Sequence, residues 1–163
     1  MRRQLGFTIA ELMLVVAIIG ILSALAVPSM RGLIRTQQVK TISFDVFSTL
    51  MLARSEAIKR NVNVGVVPNG GNWMNGWTVT DANGNLLRSQ AYASSSGSIT
   101  LSGPTSVVYN SAGRLSAAVA TPFSLDSPDI SQPTRDQNVR CISLDLSGRP
   151  VSSTGRAPYG PCL

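Results

Sequence analysis

The chain opens with an almost unbroken apolar run, and that run sets the first limit on its fold. From Phe7 to Val27 the only ionisable residue is Glu11. As a helix this stretch extends about 31 Å, the thickness of a bilayer's hydrocarbon core. A carboxylate drawn into that layer costs about 2.5–3.5 kcal/mol on insertion scales, so a residue of this kind calls for a partner. Locally, Thr8 and Glu11 have the T-x-x-E spacing of a capping box, in which the glutamate reaches back to a helix-start amide. That accounts for the spacing but not for the depth.

Arg2 and Arg3 precede the run and favour a cytoplasmic N-terminus; Arg31 and Arg35 follow it and partly oppose that orientation. With the first apolar segment dominating, the remainder of the chain is exported. Ordinary signal-peptide removal fits poorly. "SALAV" is followed at once by Pro28, and the run exceeds a typical signal core. The expected organisation is a leader over 1–6, a membrane helix over 7–30 and an exported domain over 31–163. Cys141 and Cys162 are the only cysteines. In an oxidising compartment they form one disulfide; otherwise they are two buried thiols. With one thiol pair and no histidine, no metal site is expected. The formal net charge of +6 suits nucleic acid or anionic lipid, and equally an ordinary soluble surface.

Beyond Pro28 and Gly32, Val39, Ile42, Val46, Leu50, Ala53 and Ala57 recur at spacings of three or four, with Phe47 and Ile58 widening the stripe. This predicts an amphipathic helix continuing from about Gly32 to Arg60 after an interruption at Pro28. Glu56 and Arg60 are placed to pair on it. After Asn61 the period changes to two. "VNVGVV", "GWTVTD", "LLRSQAY", "SITLSG" and "SVVYN" read as short strands, with turns at "NGGN", "DANGN" and "NSAGRL". The proline-bearing stretch Thr121–Asn138 reads as a loop, and "VRCISLDLSGRPVSS" as a final hairpin or a strand and turn. Trp73, Trp77 and Tyr92 fit core packing better than base stacking. The fold class is α+β, a long helix against an antiparallel β domain.

"GFTIAELMLVVAIIGILSALAVP" resembles the class III signal sequence of type IV pilins and pseudopilins. The resemblance implies the pilin fold. It also implies cleavage by a prepilin peptidase between Gly6 and Phe7, N-methylation of Phe7, and retention of the apolar helix as a filament core. Gly20 and Pro28 match positions where the pilin helix loosens. Glu11 becomes the fifth residue of the mature chain, able to meet the new Phe7 amine of a neighbouring subunit. The implied partners are the peptidase, major and minor pilin subunits, and inner-membrane lipid before assembly. The implied location is the bacterial inner membrane, single-pass with a periplasmic C-terminal domain, and then the extracellular pilus.

"LMLARSEAIKRNVNVGV", "NSAGRL" and "LDLSGRP" resemble the GspH/FimT-type branch of minor pilins and pseudopilins. That implies a minor pilin that promotes pilus assembly, or alternatively a type II secretion pseudopilin of the GspH kind. Some FimT-type pilins bind DNA for natural transformation through a late Gly-Arg-x-Arg element. Here the string is Gly148-Arg149-Pro150-Val151, so the second arginine is missing. Arg140, Arg149 and Arg156 are the candidate contacts to double-stranded DNA; the alternative is that they are solvated surface arginines. Enzyme chemistry has no support. There is no histidine, no carboxylate pair placed for acid–base work and no phosphate-cradling glycine motif, and no cofactor is expected.

Overall fold

The computed structural model describes residues 8–92, 99–119, 121–128, 138–155 and 162, apart from the side chains at 25–29 and 31. The chain divides into two units, one ending at Ile34 and one beginning at Arg35. A single helix, α1 (Ile9–Arg60), supplies both. In the first unit the described large apolar side chains, from Ile9 to Leu22, are all exposed. A helix that is apolar all round is built for an apolar solvent or for other helices. The sequence predicts an interruption at Pro28, but the helix continues through Gly20 and Pro28. A proline removes one amide donor, and the turns on either side keep theirs. Among the described residues no helix is long and apolar enough to cross a membrane. The expected span over 7–30 falls in part outside the described residues.

In the second unit α1 carries the predicted stripe. Val39, Ile42, Val46, Leu50, Ala53 and Ala57 are all buried, Ala53 and Ala57 completely. They join one core with residues of two antiparallel four-stranded sheets. The first sheet has the order β3-β2-β1-β5, from β1 (Val64–Pro68), β2 (Trp77–Asp81), β3 (Leu86–Gln90) and β5 (Val107–Tyr109). The second has the order β4-β6-β7-β8, from β4 (Thr100–Ser102), β6 (Phe123–Asp126), β7 (Arg140–Leu144) and β8 (Pro150–Thr154). Alternation in β1 and β2 turns Val64, Val66, Trp77 and Val79 inward. Each such side chain contributes about 1.5–3 kcal/mol when fully buried.

The aromatic residues belong to this core. Trp73 meets Phe123 edge-on at 4.8 Å between ring centroids, and its indole N–H donates to the Pro104 carbonyl at 2.8 Å. Tyr92 donates to Asp45 on α1 and packs on Trp77. The Thr121–Asn138 stretch departs from the loop reading, since β6 forms within it as a central strand between β4 and β7. Phe123, Ser124 and Leu125 are buried in succession, so this short strand shows no period of two. Pro122 and Pro128 stand just outside its ends, where a missing amide costs no ladder bond.

Helix and first sheet are also joined by a buried polar contact, the Trp77 indole N–H donating to Thr49 Oγ1 at 3.1 Å. Thr49→Val keeps the shape and orphans that donor. We expect a loss of about 1–3 kcal/mol, read as a lowered midpoint in denaturant unfolding with an unchanged slope.

Candidate functional site

Two regions carry the residues singled out from the sequence. Gly6 and Phe7 lie outside the described residues, and the first described group is the helix start itself. Thr8 N–H donates to Glu11 Oε2 at 3.0 Å, and Glu11 N–H donates to Thr8 Oγ1 at 3.2 Å. The capping box therefore forms in the full-length chain, and Glu11 is engaged by a residue of its own helix.

The second region is built from turns. Asn110–Arg114 and Asp145–Arg149 share one wiring. The first residue's carbonyl accepts from the glycine N–H (Gly113, Gly148), its N–H donates to the arginine carbonyl, and its side-chain oxygen accepts from the arginine N–H. Asp81–Asn85 is wired the same way. The pattern is Asx-x-x-Gly-x, in which the side chain replaces a missing ladder partner. At Asp145 the Ser147 hydroxyl and the Arg149 amide hold the carboxyl below the usual carboxylate range. Asp81 is also held low, first by the Asn85 side chain and also by Arg60, whose Nη1 lies 3.7 Å away. Arg60 meets Glu56 as well, at 2.6 Å, as their spacing predicts.

The two Gly-Arg turns abut. A Cβ on Gly148 would stand 2.6 Å from the Gly113 carbonyl oxygen and 3.0 Å from the Tyr109 ring. Arg54 on α1 donates from Nε to that same Gly113 carbonyl at 3.0 Å. Tyr109 is fully buried, its hydroxyl has no partner among the described residues, and burial pushes its pKa up. Arg114 and Arg149 thus leave the surface from neighbouring turns beside Arg54. Arg149 is well exposed, and among the described residues its guanidinium has a long contact to Asp145, at 3.8 Å, which leaves it open to an anion.

The three predicted arginines do not form one cluster. Arg140 pairs with Thr154 at one end of the β7–β8 ladder, while Arg149 precedes Pro150 at the other. Those ends are about 14 Å apart at the usual strand rise. Cys141 and Cys162 are joined in a disulfide, and Gly155 N–H bonds the Val139 carbonyl, so both ties hold the chain near Arg140. Arg156 lies outside the described residues. Sequence reasoning missed Arg114 and Arg54 as neighbours of Arg149. The signal available was the repeated string "Asx-x-x-Gly-Arg" at 110–114 and 145–149.

Among the described residues no cluster of His, Cys, Asp and Glu side chains could hold a metal. The arrangement suits electrostatic contact with an anion rather than bond-making. Gly148→Ala tests the turn junction. A left-handed backbone at φ +79° costs a non-glycine residue about 1–3 kcal/mol, and the new Cβ would press on the Gly113 carbonyl. We expect a melting temperature lowered by several degrees in a thermal unfolding scan.

The family described as "Type II transport protein GspH" matches residues 45–148, and the prokaryotic N-terminal methylation motif matches residues 1–27. No curated protein matches the chain by sequence. Two solved structures of the type IV minor pilin FimU of Pseudomonas aeruginosa (strain PAO1) are similar in fold. The one in space group P65 has a TM-score of 0.54 at 17% identity, covering 70% of this chain and 91% of FimU. The one in space group P21 has 0.57 at 16% identity, covering 72% and 89%. A helix on antiparallel sheets, the methylation motif and the family match over most of the second unit agree: the chain is a non-enzymatic, type IV pilin-like protein and belongs to the GspH family.

Proposed function

We propose that the chain is a minor pilin of a type IV pilus. It is cut between Gly6 and Phe7, methylated at Phe7, held in the inner membrane by residues 7–30 with residues 31–163 periplasmic, and then drawn into the filament. The observation that carries this reading is the first part of α1, residues 9–24, apolar on every side with one carboxylate, Glu11, at its head. Cleavage leaves an amine at Phe7, and a neighbouring subunit's amine gives Glu11 a charged partner in an apolar setting. Gly20 and Pro28 are the positions at which α1 loosens inside the assembled filament. Glu11→Val is expected to leave the membrane-stored subunit abundant and reduce its recovery in sheared filaments by tenfold or more. Equal recovery of variant and wild type would remove Glu11 from this role.

The family match favours one alternative, a type II secretion pseudopilin, with the same assembly chemistry in a different machine. Loss of surface pili on deletion, with secretion intact, distinguishes the first from the second.

The Gly-Arg turns favour an added role, capture of double-stranded DNA for uptake. Arg149 with Arg114 and Arg54 forms one group; Arg140 is a second contact at the far end of the hairpin, with Arg156 following Gly155 in sequence. Phosphate contacts make such binding strongly salt-dependent. For the domain from Arg35 onward, Arg114→Gln with Arg149→Gln should reduce the slope of log affinity against log salt by about two. A gel shift that the double change leaves untouched would exclude these turns as the site.

A further inference from the structure

We propose that the outer edge of β8 is a strand-addition site for an extended, acid-flanked polypeptide segment of another chain. The inference does not depend on the filament or DNA readings. Each sheet has two edge strands, and three of the four are guarded. β5 is only three residues long, and its outer side is occupied by the Tyr109–Leu115 bridge and by Ser116 N–H on the Val108 carbonyl. β4 is also three residues long. β3 slips register against β2 at Val79/Thr80 and carries Arg88. β8 differs from all of these. It has five residues in unbroken register with β7 and no charge, and Val151, Ser152, Ser153 and Thr154 are all exposed. Because successive side chains point to opposite faces, neither face of β8 is covered from Val151 to Thr154.

Which backbone groups are open follows from the ladder. Asp145 N–H donates to the Arg149 carbonyl at 3.2 Å, and Gly155 N–H donates to the Val139 carbonyl at 2.9 Å. Alternation between these two bonded pairs turns the amides of Val151 and Ser153 towards β7, and those of Ser152 and Thr154 outward. Among the described residues nothing bonds to the outer side. Pro150 stands at the first outward position and lacks an amide, so it closes one end and fixes where an added strand begins. Only an extended backbone satisfies donors and acceptors at this alternate spacing. Small, uncharged Ser and Thr side chains let it approach. Arg149 before one end and Arg140 beside the other favour carboxylates at the ends of the incoming segment.

The test uses the full-length chain in detergent micelles and a labelled heptapeptide, Glu-Val-Thr-Val-Thr-Val-Glu. We expect saturable binding, with amide exchange at Ser152 and Thr154 slowed at least tenfold at saturation and that at Val151 and Ser153 little changed. Ser152→Pro with Thr154→Pro removes outward donors only and should weaken binding tenfold or more. A peptide with lysine at both ends should bind at least tenfold more weakly. No binding at millimolar peptide, or unchanged exchange at Ser152 and Thr154, overturns the site whether or not the proline variant folds. Equal binding of the two peptides overturns the charge preference.

Discussion

Everything in the second unit hangs on one seam, the buried stripe of α1 against the sheets. Val39 to Ala57 supply the apolar surface, and Ala53 and Ala57 are small enough to let β strands come close. Neither sheet could bury its inner face against water, and a helix of this composition has no other core to join. The Trp77–Thr49 hydrogen bond satisfies the one indole donor placed deep in that seam. Tyr92 and Asp45 add a second polar tie towards the edge. The strands need only short ladders because the helix, rather than their length, holds them in place.

The exposed arginines of the second unit's turns are arranged by side-chain-to-backbone wiring rather than by regular structure. A repeated Asx-x-x-Gly-x wiring is used at Asp81, Asn110 and Asp145, and its last residue varies with context. Where that residue is Asn85, the turn is tied to Arg60 through Asp81. Where it is Arg114 or Arg149, the turn offers positive charge to solvent. The abutting glycines allow both arginines to rise from one place on the surface, although 35 residues separate them in sequence. The same backbone device therefore serves structure at one site and charge display at two others.

How much of this was legible in the sequence depended on periodicity and on range. The stripe from Val39 to Ala57 was legible because a one-sided helix has to repeat every three or four residues. Trp77 and Val79 were legible as strand residues for the corresponding reason. β6 was hidden because a short central strand buries both faces and leaves no alternation, while its neighbouring prolines suggest a loop. The Gly-Arg turns were visible, but their contact through Gly113 and Gly148 is a long-range fact that no local pattern records. The separation of Arg140 from Arg149 likewise became visible only with the register of β7 and β8. The Thr8–Glu11 pair was readable from spacing alone, since a capping box is local chemistry.

The disulfide has a topological consequence. Cys141 lies within β7 and Cys162 near the chain's end, so their bond encloses β8 in a covalent ring. A strand covered on neither face would ordinarily be the first to peel away. Here the Asp145–Arg149 turn holds one end and the ring limits how far the other can travel. Loosening β8 becomes a breathing motion inside a closed loop rather than the start of unravelling. The ring closes only where thiols oxidise, so the limit on β8 is set by the redox state of its surroundings.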